Sequence, residues 1–173
     1  MALRAFGVAA VLVAALGAGP AVAGAADAPA AAPSAQDVGY LQAAHQSNLV
    51  EIATGQQAQQ KGQSQQVKDL GGRFVTDFTR LDQSLQQTAS SLGVPLAPAD
   101  AARQATKQLD KVPDGRYDRV WIPVQQAANK AATANAQREI TSGSDPAVKQ
   151  DASVAAPVLA EHAALLNQAA SQI

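Results

Sequence analysis

The sequence predicts an all-α protein: an antiparallel four-helix bundle, with a short extra helix between the second and third long helices. Three observations carry this expectation. Four long segments repeat apolar residues at spacings of three and four, the period of a helix with one buried face. Strand alternation does not fit them. The links between them are short and punctuated by glycine, serine or proline, so consecutive helices fold back on one another.

The chain opens with an export pattern. Met1-Ala-Leu-Arg4 is short and basic, Phe6 to Leu16 is apolar, and small residues, Pro20 and Ala21-Val22-Ala23 follow. This is the layout of a secretory signal peptide over residues 1–23, with the cut after Ala23 or extending to about residue 26. A membrane anchor is the competing reading. Alanine, glycine and Pro20 make the stretch only weakly hydrophobic, which favours cleavage. Residues 24–34, GAADAPAAAPS, carry one charge and no period, and read as a flexible lead-in.

The bundle is expected over residues 35–173. Ser34 is placed to cap the first helix, with Asp37 completing a weak capping box. Val38, Leu41, His45, Leu49 and Ile52 form its stripe, and Gly62 and Ser64 end it after about Gln60. The second helix has the strongest pattern: Val67, Leu70, Phe74, Phe78, Leu81, Leu85 and Leu92. Gly71 and Gly72 interrupt it, at a cost in helix stability that close approach of a neighbouring backbone would justify. It should stop near Gly93, before Pro95 and Pro98.

A shorter helix is expected from Pro98-Ala-Asp100 to about Leu109, then a turn at Pro113-Asp-Gly115. The third long helix should begin near Asp114 and present Tyr117, Trp121, Val124, Ala128, Ala131, Asn135 and Ile140. Pro123 lies inside it and predicts a kink or a restart. Thr141-Ser-Gly-Ser-Asp145 is a connection, with Asp145 as cap and Pro146 at the first helical position. The last helix aligns Val148, Ala152, Ala155, Leu159, His162 and Leu166, with Pro157 bending it midway. The halves each hold a long helix pair but show no convincing repeat, and nothing suggests a second domain.

Composition excludes several functions. There is no cysteine among the 173 residues, hence no disulfide, thiol nucleophile, cysteine ligand or lipidated N-terminal cysteine. Without Arg4, twelve basic residues face fourteen acidic ones, too near neutrality for a nucleic-acid partner. The mature chain's three glutamates, Glu51, Glu139 and Glu161, have no histidine three positions on, so the di-iron pattern of Glu-x-x-His is missing. Zinc-protease, nucleophile-elbow, phosphate-loop and calcium-loop motifs are missing too.

The polar candidates lie on the helices. At 100° per residue, His45 and Glu51 stand about 120° apart and do not form a pair on one ridge. His45 points with Ile52, and is expected to be a partly buried imidazole hydrogen-bonded across the bundle. Glu51 either faces inward beside Leu49 and Ile52 or sits at the edge of the apolar stripe, with the edge the favoured place. Asp77 and Asp118 could approach Glu51 only with a cation or proton to offset repulsion. Pairing of Asp118 with a basic group, such as Arg73 or Arg119, is the simpler expectation. In Glu161-His162, the histidine aligns with Leu159 and Leu166 and is the inward member.

Three stretches together, AAHQSNLVEIATGQQAQQKGQSQQVKDLGGRFVTDFTRLDQSLQQTASSLGVPL, GRYDRVWIPVQQAANKA and SDPAVKQDASVAAPVLAEHAALLNQAA, resemble the DUF4142 family. Its members are exported bacterial proteins of unknown function, and the resemblance implies a ferritin-like bundle over roughly residues 35–171. By position, the family's early glutamate falls at Glu51 and its final-helix histidine at His162. Its Asp-His pair falls at Asp77-Phe78, its Phe-Asp motif at Tyr117-Asp118, and a later histidine at Asn129. Phenylalanine and asparagine thus stand where the family has imidazoles, which weakens any metal or proton chemistry it implies.

The expected role is therefore a non-enzymatic structural or binding one in the cell envelope or extracellular space, without a cofactor. Its partner would be an unidentified protein or envelope component, or a second copy through glutamine-rich faces. The alternative is a metal or redox protein holding iron, manganese or zinc on Glu51, Asp77, Asp118 and His162, with His45.

Overall fold

In the computed structural model, which describes residues 32–173, the chain becomes helical where the capping pattern marks it. The export segment and most of the lead-in lie outside the described residues. Ser34 accepts from the Asp37 amide, and Asp37 accepts from the Ser34 amide, closing the capping box. Five α-helices follow: α1 (Ala35–Lys61), α2 (Gln65–Ser91), α3 (Asp100–Asp110), α4 (Tyr117–Ser142) and α5 (Pro146–Ala170). A single 3₁₀ turn, Asp114–Arg116, stands where the third long helix was expected to start, so that helix begins three residues later. Among the described residues there is no strand, and no helix is long and apolar enough to cross a membrane.

Neither internal proline breaks its helix. Of the kink or restart expected at Pro123, the restart does not occur: α4 runs unbroken through it, as α5 does through Pro157. Both prolines are solvent-exposed, so the carbonyls they leave unbonded can turn to water while the opposite face stays packed. The inward face of α4 also differs from expectation. Val124 is 45% exposed, whereas Trp121, Ile122, Gln125, Asn129, Ala136 and Glu139 are buried. Three of these six are polar, which is why an apolar stripe misplaced the face.

The helices form a bundle of two hairpins. α1 packs along α2, α4 along α5, α1 also meets α4, α2 meets α5, and α3 lies on α1. Glycine sets the closeness of the first hairpin. A Cβ on Gly71 would lie 2.5 Å from the Gly55 carbonyl oxygen and 2.9 Å from the Ala58 Cβ; one on Gly55 would lie 2.8 Å from the Gly71 carbonyl oxygen. Gly72 faces only the side chain of Gln59, at 3.8 Å. Of the two glycines that interrupt the stripe, Gly71 is therefore the one the packing requires.

Two aspartates tie each hairpin to the turn of the other. Asp37, in the first turn of α1, accepts from the amides of Ser144 (2.8 Å) and Asp145 (3.1 Å) in the α4–α5 turn. Asp118, in the first turn of α4, accepts from the amides of Gln63 and Ser64 in the α1–α2 turn, both at 2.8 Å. The two clasps stand at opposite ends of the molecule. They also reveal a repeat that escapes the eye in the sequence. Asp37 and Asp118, Gly62 and Gly143, Ser64 and Asp145, and Val67 and Val148 stand 81 positions apart. So do the buried pairs Tyr40 and Trp121, Leu41 and Ile122, Asn48 and Asn129, Phe78 and Leu159, and Leu85 and Leu166.

Large side chains fill one half of the interior, where Phe74 lies 5.7 Å from both Phe78 and Trp121, ring centre to ring centre. The other half is lined by the alanines of α4 and by Ala44 and Ala155. Because the Gly71 contact is backbone on backbone, Gly71→Ala should lower stability by about 1–3 kcal/mol in urea unfolding. Gly72→Ala should be neutral or stabilising by up to about 1 kcal/mol. Equal effects of the two would contradict this packing.

Candidate functional site

The alanines of α4 leave space. Between the hairpins lies a cavity of about 350 Å³, bounded by α1, α2, α4 and α5 with Ala101 of α3 at its edge. Its walls are mostly apolar: Ala44, Leu81, Leu85, Ala132 and Leu159 are typical. Glu51 lines it from α1 and is only 2% exposed. One carboxyl oxygen, Oε2, accepts from Gln125 Nε2 at 2.9 Å. That same nitrogen donates to Thr54 Oγ1 at 2.9 Å, and Trp121 Nε1 donates to the Thr54 carbonyl at 3.2 Å. Glu51 has no ion pair among the described residues, and burial pushes its pKa from the ordinary 4.5 up to about 8. At neutral pH it is mainly a neutral acid.

The other candidates are elsewhere. His45 Nδ1 donates to Asp82 Oδ1 at 2.8 Å, and Gln86 Nε2 donates to the second Asp82 oxygen at 2.6 Å. His162 Nε2 donates to Asp77 Oδ2 at 3.0 Å. Its ring stacks on Phe74 at 4.3 Å and tilts against Phe78 at 5.1 Å, while Nδ1 is buried without a partner. Burial pushes the His162 pKa down, against the opposing pull of Asp77. Arg73 bonds Asp77 and Glu161, not Asp118. The expected basic partner of Asp118 is thus replaced by the two amides of the α1–α2 turn, which satisfy its carboxylate without a charge.

His45, Glu51, Asp77, Asp118 and His162 therefore fall in four separate contacts. Among the described residues, no three His, Asp or Glu side chains gather as a ligand set. Phe78 packs on His162 and forms part of the cavity wall. Asn129 is buried with its amide nitrogen unpartnered. These residues do not fit one shared metal ion.

Some polar residues of the interior escaped the sequence reading. Gln125 follows Trp121 by four positions, and Asp82 follows Phe78 by four, so each lies on the ridge of an aromatic residue that was read as core. That spacing was the available signal. Asp37 was read only as a helix cap, yet its carboxylate is fully buried between two turns. Burial opposes its charge, but hydrogen bonds from the Ser144 and Ser34 hydroxyls and the Asp145 and Ser34 amides prevail. They hold its pKa far below the usual carboxylate range.

An all-helical bundle with a buried acid beside a cavity that opens between its hairpins defines the class. A family model for DUF4142, a domain of unknown function, matches residues 22–169, and the chain belongs to that family. No curated protein and no solved structure matches it.

The Glu51 pKa is raised in the folded state, so the folded protein binds this proton more tightly than the unfolded chain. Its stabilising effect is complete below about pH 4.5 and disappears as pH rises through about 8. Glu51→Gln should remove that slope, so that the stability difference between wild type and variant shrinks or reverses by a few kcal/mol across the window. Urea unfolding of both proteins at several pH values checks this; parallel pH profiles would contradict it.

Proposed function

We propose that the protein is an exported, non-enzymatic binding protein of the cell envelope or extracellular space. It takes a small, largely apolar molecule into the cavity between its hairpins. The observation that carries this reading is the cavity itself: about 350 Å³, mostly apolar, with a buried carboxyl on its wall. Binding sites commonly combine such a volume with few polar groups, one of them a titratable residue of perturbed pKa. The separation of the candidate metal donors favours this reading over a metal or redox role.

The arrangement also supports a ferritin-like, antiparallel four-helix bundle. Two hairpins carry matching turns and clasps, and one long connection, residues 92–116, crosses between them with α3 inside it. A single long crossover is the connectivity of that fold. In this member the interior would serve as a container for an apolar guest. Phe78 and Asn129 stand where the family's imidazoles fall, and Phe78 is part of the wall.

Filling the cavity should abolish binding while preserving the fold. Octanol should raise the melting temperature of the wild-type protein and leave that of Ala132→Leu unchanged. The variant itself should gain about 1–2 kcal/mol from the added apolar burial. A shift of equal size in both proteins would contradict an interior site. For export, mass analysis of culture supernatant and membrane fractions should find a chain beginning after Ala23 or by about residue 26. An intact Met1 terminus in both fractions would contradict it.

A further inference from the structure

The charges around the cavity are one-sided. Of the side chains that line it among the described residues, Glu51 and Asp151 are acidic and none is basic. Other acids are answered locally: the buried Asp82 by His45, the half-buried Asp77 by Arg73 and His162, Asp37 and Asp118 by backbone amides; the fully buried Glu139, which does not line the cavity, has the Gln36 amide. Glu51 has only the Gln125 amide on one oxygen; the other, Oε1, has no hydrogen-bond partner among the described residues. Asp151 accepts from Ser84 Oγ at 2.8 Å through Oδ1, while its Oδ2 is buried without a partner. Neither Glu51 nor Asp151 forms an ion pair among the described residues.

We propose that the cavity selects an organic ammonium ion with an apolar body, its nitrogen bonded to Glu51 and its charge further favoured by Asp151. This rests on the reading of the cavity as a binding site and names the class of its guest. A carboxylate guest would bring a second negative charge to a wall that already holds Asp151, and would meet no cation there. A neutral guest would leave both acids as they are. An ammonium supplies N–H donors to the open Glu51 oxygen and charge to both groups, in a space where apolar walls strengthen the attraction. The proton balance follows. Glu51 gives up its proton to solvent as the ammonium arrives, so at neutral pH up to one proton leaves per guest bound.

Octylamine, octanol and octanoate share one chain and differ in their head group. Calorimetric titration of each into the mature protein at neutral pH, in two buffers of different ionisation heat, tests the proposal. Octylamine should bind at least about tenfold more tightly than octanol, with octanoate weakest. Its enthalpy should depend on the buffer as proton release requires. In Glu51→Gln the ratio of amine to alcohol affinity should fall to about one, and in Asp151→Asn it should fall part of the way. Circular dichroism identifies any variant that has not folded, and Asp151→Asn, at a half-buried position, keeps the test alive if Glu51→Gln fails. Equal affinity for amine and alcohol, tighter binding of octanoate, or an amine preference that survives these substitutions would overturn the selectivity and leave the cavity reading standing. Binding of none of the three would overturn both.

Discussion

The reciprocal clasp of Asp37 and Asp118 is the constraint on which the rest of the interior depends. Each carboxylate sits in the first turn of one hairpin's leading helix and accepts from the amides of the other hairpin's turn. Charge-assisted bonds of this kind are short and directional, and they hold the hairpins together at both ends. With the ends fixed, the spacing along the middle is no longer free to follow side-chain size. Where Trp121, Phe74 and Phe78 project, the gap is filled. Where α4 offers Ala128, Ala132 and Ala136, it is not, and the cavity is the remainder.

Glu51 takes its character from that remainder. An acid only 2% exposed, with one amide on one of its oxygens and no ion pair among the described residues, is easier to keep protonated than charged. His162 shows the same physics with the opposite sign. Its ring lies between Phe74 and Phe78, burial disfavours its cationic form, and Asp77 takes the one N–H a neutral ring offers. The interior therefore holds a neutral acid and a neutral base in separate surroundings. Neither the Asp77 contact nor the Asp82 contact of His45 gathers further ligands, so the polar core reads as fixed bridges between helices.

Much of the fold is legible in the residues. Ser34 and Asp37, Gly62 and Ser64, and Asp145 and Pro146 mark helix ends by backbone chemistry that acts locally, and the structure follows them. The stripes of α2 and α5 were equally plain because their inward residues are apolar or, like His162, in step with apolar neighbours. The faces of α1 and α4 were harder to read. Their buried ridges carry Asn48, Glu51, Gln125, Asn129 and Glu139, and a pattern built on hydrophobicity turns such helices the wrong way. The clasps were hidden for a different reason: each joins residues far apart in the chain, and a capping aspartate looks alike whether it serves one helix or two. The repeat was hidden because so few of its equivalent pairs keep the same residue.

The central claim is that the folded interior keeps an open, apolar space beside Glu51 because its ends are clasped and its middle is lined with alanine. Crystals of the protein pressurised with xenon test this most directly, since xenon enters apolar cavities and avoids packed cores. The account predicts ordered xenon in the cavity that Glu51, Leu85 and Ala132 line. Helices collapsed onto one another there, with Ala132 packed against Leu85 and no xenon between them, would contradict it.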